Sequence, residues 1–199
     1  GNGSTTASLT PVAVAGLSGA VDVAVRSQSS CAVRSDGTVW CWGRAVVPNP
    51  NGFPTNSAVP VQIPGITTAT SVAMSGGPVC AGLSDGTVKC WGSPLDYGAV
   101  PTAVPGVTGT TELSAGGYHF CARSSSGGVK CWESSAGTAS SPVHLGSAAH
   151  VSAGWRSTCA VLVTGEAKCW GDGEDGQLGT GYYYAPGLIY ANTYVLASN

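Results

Sequence analysis

CAVRSDGTVWCW at 31–42, CAGLSDGTVKCW at 80–91, CARSSSGGVKCW at 121–132 and CAVLVTGEAKCW at 159–170 are four copies of one motif. Each holds two cysteines ten positions apart, the second followed at once by tryptophan, and together they take up all eight cysteines of the 199-residue chain. The copies recur at offsets of 49, 41 and 38 residues. Repeats in this range build solenoids, arrays or propellers, because one unit is too small to bury its own apolar face.

The spacing reads as a hairpin. Pairing Cys31 with Cys41 across an antiparallel ladder also pairs Ala32 with Trp40, Val33 with Val39 and Arg34 with Thr38, leaving the loop Ser35-Asp36-Gly37. A three-residue hairpin loop wants a left-handed residue at its third position, which glycine supplies without steric cost. Gly86, Gly127 and Gly165 hold the same place in the other copies. A slip of one residue would move the glycine and turn every side chain to the opposite face, so the register is fixed. Each cysteine pair then lies directly cross-strand, within reach of a disulfide. The expected bridges are Cys31–Cys41, Cys80–Cys90, Cys121–Cys131 and Cys159–Cys169.

Zinc is the competing reading of these cysteines, but zinc ligands come in pairs two to four residues apart, and no such pair or Cys/His cluster occurs. No cysteine breaks the even pattern as a nucleophile would. Four intra-hairpin disulfides imply an oxidising compartment, and a secreted, extracellular or cell-surface location is expected. No run of about eighteen apolar residues suggests membrane insertion. The chain also lacks the basic start and apolar core of a signal peptide, so a secreted form is expected to be a mature product or a fragment.

Charged residues make up 9% of the chain against a usual share of about 25%. Lysine and arginine number eight and the net charge is −2. Nucleic-acid binding needs a clustered basic face to neutralise phosphates, so that class is set aside.

The segments between the hairpins repeat as well. A proline opens a short strand in PVAVAGL from Pro11, PVQIPGI from Pro60, PTAVPGV from Pro101 and PVHLGSA from Pro142, a place where proline costs no ladder donor. A second apolar strand follows in AVDVAV from Ala20, ATSVAM from Ala69, TELSA from Thr111 and HVSAGW from His150. No segment keeps a helical period, so the class is all-β. The reading is one repeat domain over 1–199 with units at about 1–43, 44–92, 93–132 and 133–171, each a proline strand, a second strand and a hairpin, followed by a tail at 172–199.

The fourth unit, VSAGWRSTCAVLVTGEAKCWGDGEDGQLGTG from Val151 to Gly181, resembles a repeat of the regulator of chromosome condensation family in its cysteine-bearing, secreted form. The matching residues are Ala153-Gly154, the hairpin, Cys169-Trp170-Gly171 and Gly176-Gln177-Leu178-Gly179. Units one and two match well and unit three less so, with Glu133 where glycine follows the tryptophan elsewhere; the GQLG segment occurs once. The resemblance implies a β-propeller of four disulfide-stapled blades, about four strands each. The best-known members have seven blades, so the ring here is smaller, open or part of a larger array. The family's exchange-factor activity on a small GTPase depends on insertions not found here, and propellers host unrelated functions.

Catalytic chemistry is sparse. His119, His144 and His150 lie in separate segments without ligand spacing and read as surface or strand residues. Asp172, Glu174 and Asp175 could attract calcium, but lack EF-hand spacing and read as a turn. No nucleophile elbow, phosphate loop or paired carboxylates is present, so no enzyme and no cofactor is expected. Trp42, Trp91, Trp132 and Trp170 recur in phase with the blades and read as inter-blade packing. Trp155 breaks that phase, near the positions of Gly77, Tyr118 and Gln28, and with Tyr118 is the candidate glycan contact. The tail carries Tyr182, Tyr183, Tyr184, Leu188, Ile189, Tyr190, Tyr194 and Val195, the candidate interface. It reads as a fifth linking strand without a hairpin, able to add to a neighbour's sheet. The expected function is a non-catalytic extracellular scaffold that binds copies of itself or neighbouring extracellular proteins; a lectin-like propeller is the rival.

Overall fold

A computed structural model describes residues 1–49, 54–92, 97–135 and 138–181. The described residues contain strands and no helix, as the alternating apolar pattern predicts. The first blade orders β1 (Ala20–Arg26), β2 (Ser29–Arg34), β3 (Val39–Val47) and β4 (Thr55–Gln62) side by side. The second repeats this with β5 (Ala69–Met74), β6 (Val79–Leu83), β7 (Val88–Trp91) and β8 (Thr102–Ala103). Blade three has β9 (Thr110–Ala115), β10 (His119–Ser124) and β11 (Val129–Glu133), and blade four β12 (Ala148–Ala153), β13 (Ser157–Leu162) and β14 (Ala167–Gly171).

The hairpin register is the one the cysteine spacing predicts. Cys31 faces Cys41, Ala32 faces Trp40 and Val33 faces Val39, with the same offsets in the other three hairpins. All four disulfides are formed, with Cα atoms 4.0–4.1 Å apart. Gly37, Gly86, Gly127 and Gly165 all have positive φ, between 76° and 87°. In the first two loops the aspartate fixes the turn: Asp36 Oδ1 accepts from the Thr38 amide at 3.0 Å and hydroxyl at 2.6 Å, and Asp85 does the same with Thr87. Those hydrogen bonds hold both carboxyls below the ordinary aspartate range.

The pairing of the proline strands differs from the order read in the sequence. Val61 lies opposite Cys41 and Thr102 opposite Cys90, and Ser140, two residues before Pro142, bridges Cys131. Each linking strand therefore completes the hairpin before it, then crosses to open the next blade. The cause is the free edge of the second cysteine strand, whose backbone groups need a partner. Pro11–Val14, which reads as a linking segment, follows no hairpin among the described residues; the candidate tail residues, from Tyr182 to Val195, lie outside the described residues.

Three buried clusters sit between consecutive blades. In each, one blade's disulfide packs against the next blade's tryptophan: Cys31 and Cys41 with Trp91, Cys80 and Cys90 with Trp132, Cys121 and Cys131 with Trp170. The crossing segments fill the gaps with Ile63, Ile66, Val104, Val107 and Leu145, all buried. A polar pair joins the same seam. His119 Nε2 and the Thr158 hydroxyl lie 2.6 Å apart across blades three and four, both buried. Burial pushes the His119 imidazole below its ordinary range, with the Glu133 carboxylate pulling the other way.

Two outcomes are expected from this packing. A side chain on Gly37 would run into the Thr67 carbonyl oxygen and lie 2.9 Å from Thr68 Cα, whereas the Gly165 position meets nothing within 4 Å. Gly165→Ala should lose about 1–2 kcal/mol for the left-handed backbone alone, and Gly37→Ala should lose roughly 2–4 kcal/mol because blade two must also shift. Denaturant midpoints measure the difference, and equal losses would refute the seam geometry. For His119, the unfolded chain takes up a proton near pH 6.5 while the folded chain resists until lower pH. Stability should be flat above that value and fall as pH drops below it toward the depressed folded value. His119→Gln should flatten the slope between about pH 7.5 and 5, as read by thermal melts.

Candidate functional site

The inner strands of the four blades end in short loops at Arg26–Ser29, Ser75–Pro78, Gly116–His119 and Gly154–Ser157. These loops meet through backbone. The Gly76 amide donates to the Gly117 carbonyl at 3.1 Å, and the Gly117 amide donates to the carbonyls of Gly154 and Trp155 at 3.0 and 2.9 Å. A side chain at Gly76 would lie 2.8 Å from the Gly117 oxygen, and one at Gly117 would run into the Trp155 carbonyl and ring. Glycine is required here by close approach, not by φ, since neither residue has a left-handed backbone.

On this platform the sequence-predicted pair comes together. Tyr118 and Trp155 lie edge to face with centroids 5.2 Å apart, and they are 56% and 62% exposed. The strand register places Trp155 in line with Gly117 and Gly76, and Tyr118 in line with Gly77 and Arg156, one step from the alignment read in the sequence. Arg26 joins them from blade one. Its guanidinium donates to the Gly116 carbonyl at 2.7 Å and stands 5.3 Å from the Trp155 ring centroid, a cation–π distance. The cluster therefore ties blade one to blades three and four. Sequence reasoning missed Arg26, because nothing local marks a side chain whose partners lie 90 residues away.

The other singled-out residues are spent on structure. Trp91, Trp132 and Trp170 are fully buried, while Trp42 is half-buried, with Gly1 set close over its indole nitrogen. His150 pairs with Glu112, whose other oxygen receives Arg123 at 2.7 Å. The His144 carbonyl accepts from Lys168. Asp172 accepts from the Glu174 amide at 3.0 Å, the turn expected of that loop. Among the described residues, no group of three or more His, Cys, Asp or Glu is placed to hold a metal ion. A cleft on blade three is lined by the hydroxyl residues Thr110, Ser124, Ser126 and Ser141 together with Lys130. Four disulfides and no free thiol among the described residues fit an oxidising environment.

Comparison with known proteins bears on the fold. The regulator of chromosome condensation (RCC1) repeat matches residues 20–45 and 148–177, and no curated protein sequence matches the chain. Yeast RCC1 (Prp20), in a crystal structure with Kap60 bound, superposes with a TM-score of 0.65 at 19% identity, over 79% of this chain and 44% of that one. Human WBSCR16 gives 0.67 at 20% identity, over 84% and 54%. The CRINKLY WD40 ectodomain of the Arabidopsis thaliana receptor kinase ACR4 gives 0.50 at 23% identity, over 75% and 48%. The chain thus spans about half the length of these neighbours. The first and fourth blades carry matches to the regulator of chromosome condensation (RCC1) repeat, and the chain shares the propeller fold of these neighbours.

Proposed function

We propose that the chain is a non-catalytic, extracellular interaction scaffold that presents rigid blade surfaces to copies of itself or to neighbouring extracellular proteins. The observation that carries this reading is the set of four cross-strand disulfides, three of them sealed between blades. Such stapling holds shape where chaperones and reductants are absent. Sparse charge leaves hydroxyls, backbone and apolar strands as the contact chemistry, which suits docking of protein surfaces better than steering of charged ligands. The propeller neighbours support a protein-binding role by analogy, one being captured with Kap60 and another named as an ectodomain.

The lectin-like reading has one specific support, the exposed Trp155–Tyr118 pair. Against it, Arg26 and the Gly117 backbone already lie on the Trp155 ring, whereas a sugar platform needs an open face. The two readings separate in a saccharide-binding screen followed by titration of any hit against wild type and Trp155→Ala. The scaffold reading expects no saturable saccharide binding at dissociation constants below about 1 mM. Saturable binding that disappears in Trp155→Ala would replace it with the lectin.

A further inference from the structure

Every junction between consecutive blades repeats the same three contacts. A disulfide and the valine two residues before its second cysteine share a cluster with the next blade's tryptophan: Val39 with Trp91, Val88 with Trp132 and Val129 with Trp170. The hairpin-loop glycine carbonyl accepts from the first amide of the next inner strand: Gly37 from Ala69 at 2.9 Å, Gly86 from Thr110 at 3.0 Å, Gly127 from Ala148 at 2.8 Å. A linking strand pairs with the second cysteine strand before crossing over.

At the two ends of the array each contact is half made. By register Val23 and Val25 of blade one stand where Val72 and Met74 stand in blade two. Those two are buried, whereas Val21, Val23 and Val25 are 62%, 62% and 74% exposed. The outer face of blade four is the complement. Cys159 and Cys169 are half-buried where the other six cysteines are sealed, and Val161, in the register place of the fully buried Val33, is 42% exposed. The space over Gly165 is open, and Ala20 holds the strand position from which Ala69, Thr110 and Ala148 donate. Pro11–Val14 has the sequence of a linking strand, yet is exposed or half-buried and forms no strand. Among the described residues, β14 pairs with β13 alone.

We infer that these ends bind each other in successive copies: blade one of one molecule packs on blade four of the next, and its Pro11–Val14 segment adds to that neighbour's β14 edge with Val12 opposite Cys169. This rests on the scaffold reading and names its partner as a second copy. The front and back of one blade are already complementary at three junctions, so a second copy brings the same chemistry to a fourth. The contact is heterologous, so it closes into a ring or runs on as a stack according to the turn per copy. Gly1 covers the Trp42 indole nitrogen but leaves the valine face open, and it must yield as the neighbour docks.

The test is sedimentation of the purified 199-residue chain over a concentration series. Wild type should associate below about 100 µM. Val23→Lys and Val161→Glu alter exposed residues and should each fold yet weaken association on the order of a hundredfold, because each buries an unpaired charge. The double variant places Lys opposite Glu at every junction and should recover most of the loss. A wild-type chain that stays monomeric overturns the inference, as does assembly insensitive to both single variants. Truncation after Gly181 should leave assembly intact; if truncation abolishes it, the tail is the contact and the inference falls. None of these results bears on saccharide binding, so the scaffold reading stands or falls separately.

Discussion

Everything in this fold depends on a disulfide lying under the tryptophan of the following blade. A single hairpin of this length has too little apolar surface to stay folded alone. Stapling limits the unfolded ensemble, worth about 2–3 kcal/mol for a loop of this size, and leaves a compact sulfur face in place of two flexible side chains. The tryptophan then covers that face. The indole N–H groups of Trp91, Trp132 and Trp170 are buried without a hydrogen-bond partner among the described residues, which costs each site about 1–3 kcal/mol. Tryptophan at these positions therefore contributes area and shape, and the packing gain must exceed that loss.

The same rule explains where the molecule is open. A unit whose front fits its own back buries every internal copy and leaves one front and one back exposed. The valine stripe of β1 and the half-open Cys159–Cys169 bridge are those two surfaces. The Arg26–Trp155–Tyr118 cluster is of another kind. It arises from the residues in which blades depart from the repeat, and it braces the axis end by linking blade one to blades three and four.

The repeat, the disulfide pairing and the hairpin register were legible in the sequence because they are local: ten-residue spacing and one turn glycine decide them. The phase of the linking strands was not. PVQIPGI looks alike whether it starts a unit or ends one, and only the free edge of β3 settles that Val61 pairs with Cys41. That difference leaves Pro11–Val14 as a linking segment with no partner strand among the described residues. Trp155 and Tyr118 were legible as departures from the repeat, whereas Arg26 and the buried His119–Thr158 pair were not, since both depend on which loops the packing brings together.

The most direct measurement of the central packing rule is the order in which the disulfides yield to a small thiol under native conditions, followed by alkylation and mass mapping, in the Val23→Lys variant so that no second copy covers blade four. Cys159–Cys169 should open first, because its cysteines are half-buried where the other six are sealed, and the other three should open together with global unfolding. If any of Cys31–Cys41, Cys80–Cys90 or Cys121–Cys131 is reduced as fast as Cys159–Cys169, the tryptophan cover does not seal the blades and the account is contradicted.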